Sequence, residues 1–113
     1  MLGLFLVKPQ ILEKRRLKTV VRLIEDEGFQ ILDMCLLQIQ GVEFEAFMHR
    51  MKQGYEPVEV TLYSQGRSAL FAVSHRSDEF YVHGGRVEQG SKARFFPGDD
   101  AVETWFGKLS NKV

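Results

Sequence analysis

The run Leu2 to Val7 is almost unbroken in apolar character and stops at Lys8-Pro9. A strand with no polar alternation is buried on both faces, so it belongs inside a sheet that carries a covering layer on each side. Pro9 has no N–H to donate and ends the ladder. The first element is therefore predicted to be a central strand with a lysine at its carboxyl end. The run is too short to span a membrane and has no small-residue cleavage pattern, so it reads as a strand and not as a signal peptide.

Beyond Pro9 the chain alternates in period. From Glu13 to Glu27 the apolar residues Leu17, Val20, Val21 and Ile24 fall at i, i+3, i+4 and i+7, which puts one stripe on a helix. Gly28 stands where helices commonly end. Phe29 to Ile39 reads as a second long strand with Asp33 near its middle, and Val42 to Met51 as a short helix with Phe44, Phe47 and Met48 on one side. Leu70 to Val73 is a third buried strand, and Ser74 to Asp78 a turn. Asp99 to Leu109 has a capping aspartate and the apolar set Val102, Trp105, Phe106 and Leu109, the pattern of a terminal helix. This order predicts an α/β (α+β) fold, a ferredoxin-like split βαβ sheet with helices packed on it.

With 113 residues and 44% hydrophobic content, the chain is expected to form a single domain over residues 1–113 whose core needs no metal or disulfide. Fifteen basic residues balance fifteen acidic ones, so no global field recruits nucleic acid or an anionic membrane. The lone cysteine, Cys35, has apolar neighbours and reads as a packed thiol in a reducing, cytoplasmic setting. His49, His75 and His83 lack the spacing of a zinc site, and no metal is predicted. His49 and His75 read as solvated.

The first helix is unusual in its charges. Lys14, Arg15, Arg16 and Lys18 crowd its amino-terminal half and Glu25, Asp26 and Glu27 its carboxyl end, the reverse of what the helix dipole favours. Two readings stand: a solvated face, or a local basic patch joined by Lys8 that faces phosphates or an acidic partner. Nine phenylalanines, three tyrosines and Trp105 exceed what a small core needs, so pairs such as Phe80-Tyr81 and Phe95-Phe96 are candidates for a contact surface.

Val7-Lys8-Pro9-Gln10, then an amphipathic helix, then Glu27-Gly28-Phe29 resembles the opening of the nucleoside diphosphate kinases, which run from a Lys-Pro-Asp strand end through a helix to Lys-Gly-Phe. Tyr55-Glu56-Pro57, Val60, Tyr63, Gln65-Gly66 and Ala69 to Val73 resemble that family's aromatic and proline turn, short helix and third strand. The likeness covers roughly residues 3 to 73, and the helix from Asp99 to Phe106 is similar to the one after the family's active-site loop.

The resemblance implies a ping-pong phosphotransferase fold in which a histidine carries the phosphoryl group. Lys8 matches the lysine that contacts phosphate, and Tyr55 takes the place of the aromatic residue that stacks on the base. Arg86 falls where the family has a phosphate-binding arginine. Phe47 replaces a tyrosine near the phosphates. Ser74 to Pro97 is shorter than the family's corresponding stretch by a few tens of residues. Ala93 to Asp99 then stands for the catalytic strand, with phenylalanine or proline where the histidine belongs. His83, in His83-Gly84-Gly85, is a rival nucleophile only if the chain can cross over in the short stretch before it. Two functions follow from the resemblance. One is a catalytically inactive kinase-like domain, a structural or protein-interaction module within a larger assembly, with a cilium or axoneme as the family's usual setting for such domains. The other is a nucleotide sensor or residual kinase that binds a Mg-nucleotide through Lys8, Tyr55 and Arg86. Neither implies a resident cofactor. An unrelated ferredoxin-like domain is the third possibility, and such a fold by itself carries no function.

Overall fold

The computed structural model describes residues 2–13, 15–75 and 93–110. Strand β1, Leu2–Val7, lies at the centre as its composition demands. It pairs antiparallel with β3, Ser68–His75, on one side and with β4, Ala93–Pro97, on the other, while β2, Phe29–Leu37, completes the order β2-β3-β1-β4. This is the split βαβ sheet that the alternating periods imply. Between the strands come α1, Pro9–Glu13, and α2, Leu17–Asp26, then α3, Gly41–Arg50, α4, Pro57–Ser64, and finally α5, Asp99–Ser110.

Alternation along β1 divides the core in two. Phe5 and Val7 join Phe71 and Val73 of β3 beneath Val20 and Ile24 of α2. Leu4 and Leu6 join Leu70 and Phe96 against Phe44, Phe47 and Met48 of α3, Tyr63 of α4 and Trp105 of α5. The stripe read from the sequence is thus the buried face of α2. The single helix predicted from Glu13 is instead interrupted. Pro9 opens the short α1, where its missing N–H is no loss. Arg15 takes a left-handed φ of 55°, the Arg16 N–H returns to the Ile11 carbonyl at 3.0 Å, and α2 begins at Leu17. Lys14 lies outside the described residues.

The predicted turn at Ser74 is also corrected. β3 runs on through His75, which pairs with Phe29 across the sheet. His75 is half-buried and not solvated: its Nε2 donates to the Glu27 carbonyl at 2.8 Å and its ring meets the Phe29 edge at 4.6 Å. Gly28 makes this approach possible. It has φ +92°, and a Cβ there would stand 3.0 Å from His75 Nε2, so any other residue would be both strained and crowded.

Strand β4 and helix α4 are elements that periodicity missed, and in β4 a five-residue stretch shows too little pattern to register. Its two phenylalanines lie one per face. Phe95 packs on Phe5 and Phe29 and stays partly exposed, whereas Phe96 is buried on Phe47, so Phe96 does not supply the contact surface expected of the pair. Phe80-Tyr81 lies outside the described residues.

β2 forms an edge of the sheet and contains a bulge, with the register shifting between Ile31 and Asp33. One extra residue exchanges the faces of everything after it. Phe29 and Ile31 serve the α2 layer, whereas Cys35 and Leu37 pack into the α3 and α4 layer. Met34 and Leu36, opposite Phe71 and Ala69, are left on the α2 face beyond the helix's reach, and both are exposed together with Leu32. Burial first, and then the Asp33 carboxylate, push the Cys35 thiol up to about 11. The thiolate is the nucleophile, so native protein at pH 7.5 is expected to react with iodoacetamide at least about tenfold more slowly than the urea-unfolded chain. Equal rates would refute the packed-thiol reading.

Candidate functional site

Lys8 follows Leu6 by two residues and so projects into the α3 and α4 layer. Only 8% of it is exposed, and its Nζ lies 5.7 Å from the centroid of the Tyr63 ring, a cation–π arrangement. The solvated strand-end lysine is therefore ruled out. So is the basic patch that joined Lys8 to the first helix, since α2 covers the opposite face of the sheet.

Tyr63 is held in place by α4, whose start is doubly determined. Pro57 occupies the first turn, and Glu56 and Glu59 form a reciprocal capping box in which Glu59 Oε1 accepts the Glu56 N–H at 3.1 Å. The other carboxylate oxygen of Glu59 accepts from Arg94 Nη1 at 2.7 Å, and Arg94 Nη2 donates to the Gly54 carbonyl, also at 2.7 Å. Arg94 stands opposite Leu6 on β4. It thus ties the loop before α4 to the strand beside Lys8. Burial alone would raise the Glu59 carboxyl, but the Glu56 N–H, the Arg94 guanidinium and the Lys8 ammonium together hold it below its usual range. The Tyr63 hydroxyl is fully buried and has no hydrogen-bond partner among the described residues. Burial, then the Glu59 charge, raise its pKa, with Arg94 opposing.

Tyr55 sits at the rim of the same layer. Its ring meets the edge of Phe44 at 5.8 Å, Phe44 in turn stacks on Tyr63 at 4.9 Å, and the Tyr55 hydroxyl is 3.4 Å from His49 Nε2. The structure brings Lys8 and Tyr55 into one neighbourhood through this file of rings. Deeper in the layer, Phe96 is buried against Phe47 with centroids 4.8 Å apart, and Phe47 meets Trp105 at 5.3 Å. At the surface, Arg50 of α3 clasps Asp100 in the first turn of α5 through two bonds, 2.8 and 3.1 Å, which hold the Asp100 carboxyl below its usual range.

No family model and no curated protein matches the sequence. The architecture is matched by the nucleoside diphosphate kinase of Aquifex aeolicus with a TM-score of 0.67 at 12% identity, over 96% of this chain and 93% of that one. The chain has the nucleoside diphosphate kinase fold. An NDP kinase from Pyrobaculum aerophilum is similar over 73% of this chain and 64% of its own, with a TM-score of 0.52 at 13% identity. The kinase-like fold explains why Lys8, α4 and β4 converge, since the ends of β1 and β4 meet beneath the α3 and α4 pair.

In this kinase-like domain the sequence pattern points to Lys8 and Tyr55 and misses the ring beside the lysine and the ion pair of the same layer. Glu59, Tyr63 and Arg94 stand 51, 55 and 86 positions beyond Lys8 in the sequence. One local signal was available: Arg94 is a charge inside the apolar stretch Ala93 to Pro97, and such a residue needs a partner. Arg86 and His83 lie outside the described residues. Among the described residues there is no cluster of three or more metal-ligating side chains, and no helix is long and apolar enough to cross a membrane.

Proposed function

We propose that this chain is a non-catalytic nucleoside diphosphate kinase-like domain that serves as a structural and protein-interaction module of a larger assembly. The observation that carries this reading is the filling of the site by the chain itself. Phe96 packs against Phe47 on the segment that the resemblance sets in place of the catalytic strand, and Glu59 already engages Arg94, one of the cations that an incoming phosphate would need. Phosphoryl transfer requires open space, a nucleophile and unsatisfied positive charge at one point. Here an aromatic cluster fills the space and an internal ion pair takes up Arg94.

Leu32, Met34 and Leu36 on β2 support the interaction role. An edge strand that exposes three large apolar side chains and carries Asp33 as its one charge is suited to receive an extended apolar segment of another protein. The family resemblance supports a cytoplasmic assembly such as that of a cilium or axoneme.

The second reading, a nucleotide sensor, is favoured by the Tyr55 ring at the rim of the layer, linked to Lys8 through Phe44 and Tyr63. Calorimetric titration with Mg-ADP separates the two. The expected result is no measurable heat up to millimolar nucleotide. Micromolar binding that is abolished by Lys8→Ala would replace the module reading with the sensor.

A further inference from the structure

Lys8, Arg94 and Glu59 do not balance. Among the described residues two cations share this layer with one carboxylate: Arg94 pairs with Glu59 at 2.7 Å, and Lys8, 8% exposed, lies 5.7 Å from the Tyr63 ring centroid. In the same layer the Tyr63 hydroxyl is fully buried without a partner among the described residues, and so is the side-chain oxygen of Gln10, whose amide nitrogen donates to the Leu62 carbonyl at 3.1 Å. Glu59 is itself largely covered, its side chain 19% exposed against 23% for Arg94. It is also tethered, because its other oxygen is committed to the helix cap.

We propose that Lys8, Arg94 and the Tyr63 hydroxyl form an oxyanion site whose resident anion is the chain's own Glu59 carboxylate. The site is occupied from within and takes a small external oxyanion, inorganic phosphate or formate, only when that carboxylate is removed. This deepens the non-catalytic reading by naming what closes the site, and rests on it. The physical basis is desolvation: a half-buried guanidinium and a buried ammonium are held in place only with a negative partner nearby. The tethered carboxylate provides one at a local concentration that free anions do not reach. Tyr63 is the donor that the carboxylate leaves unused, and a tetrahedral anion has the additional oxygen to accept from it.

Chemical rescue tests the proposal. Glu59→Ala vacates the carboxylate's volume as well as its charge, whereas Glu59→Gln removes the charge and keeps the volume filled. Thermal melting is followed in inorganic phosphate or formate, with chloride matching the ionic strength. The Glu59→Ala melting point is expected to rise by about 5 °C or more at 50 mM phosphate, roughly the gain from saturating a low-millimolar site in a domain this size. Wild type and Glu59→Gln are expected to move by less than about 1 °C, and adding Lys8→Met to Glu59→Ala is expected to abolish the rise. A rise in wild type equal to that in Glu59→Ala, no rise in Glu59→Ala, or a rise that survives Lys8→Met would overturn the proposal. Should Glu59→Ala not fold, the Glu59 titration followed by NMR in the Lys8→Met chain decides. A midpoint raised from the wild-type value supports the pairing, and an unchanged midpoint refutes it. Phosphoryl transfer by the wild type, measured separately, would overturn the non-catalytic reading whatever the melting curves give.

Discussion

Phe96→Ala is expected to destabilise the chain by about 3–5 kcal/mol, the range for truncating a fully buried phenylalanine. The cost should fall at the upper end because the cavity cannot collapse. Phe96 is 1% exposed and sits in a file of rings, with Phe47 at 4.8 Å and Trp105 beyond it at 5.3 Å from Phe47. Each ring is anchored on a different element, so none can move in without disturbing a second contact. Phe95→Ala, next in sequence on the opposite face, removes a partly exposed ring and is expected to cost clearly less. Denaturant unfolding of both variants checks the order, and a larger loss at Phe95 would show the two faces of β4 to be misassigned. Phe96→His bears on function as well. It places an imidazole on the segment that the resemblance sets in place of the catalytic strand, but in a pocket of aromatic edges where its nitrogens lack partners. Burial then favours the neutral ring and costs stability. Loss of stability without any gain of phosphotransfer is the expected outcome.

Residues that reveal their environment through short-range pattern were legible in the sequence. Leu2 to Val7 can only be a doubly covered strand, and Val20 and Ile24 lie on the one stripe of their helix. Gly28 adopts the positive φ expected at a helix end. Three features escaped because they depend on contacts remote in sequence. The bulge near Leu32 has no local marker, yet it decides that Cys35 turns inward and Met34 outward. His75 looked like a turn residue because its partners, Phe29 and the Glu27 carbonyl, lie more than forty positions earlier. At the candidate site, Lys8 stands out in the sequence, but the basic run that follows it there misrepresents its surroundings. The sheet places α2, with Lys18, on the other side and supplies Glu59, Tyr63 and Arg94 instead. A lysine's function is set by what neutralises it, and that information is not local.

Removing Arg94 is the substitution expected to alter this neighbourhood most. Arg94→Met retains much of the aliphatic stem but takes both donors away. The Gly54 carbonyl loses its bond, and Glu59 is left with the Glu56 N–H and the Lys8 ammonium. Breaking one side of a buried pair costs about 3–5 kcal/mol, and the partial exposure of this pair reduces that to roughly 2–3 kcal/mol. Glu59→Gln alone should cost less, because an amide oxygen can still accept from Arg94. In the double variant the losses should not add: once the carboxylate is neutral, the missing guanidinium no longer leaves a charge unpaired. The expected coupling is about 1–2 kcal/mol. Additive losses would mean that Arg94 acts only through Gly54. The acid limb of stability provides an independent check. Glu59 has a folded pKa below its ordinary value of 4.5, so its contribution is fully present above that value and is lost as pH falls through the folded one. With Arg94→Met the folded value moves back toward 4.5, and the part of the acid-induced loss due to Glu59 should shrink. In Glu59→Gln that part should vanish, and an acid limb identical to wild type in both variants would assign the acid sensitivity to other carboxylates.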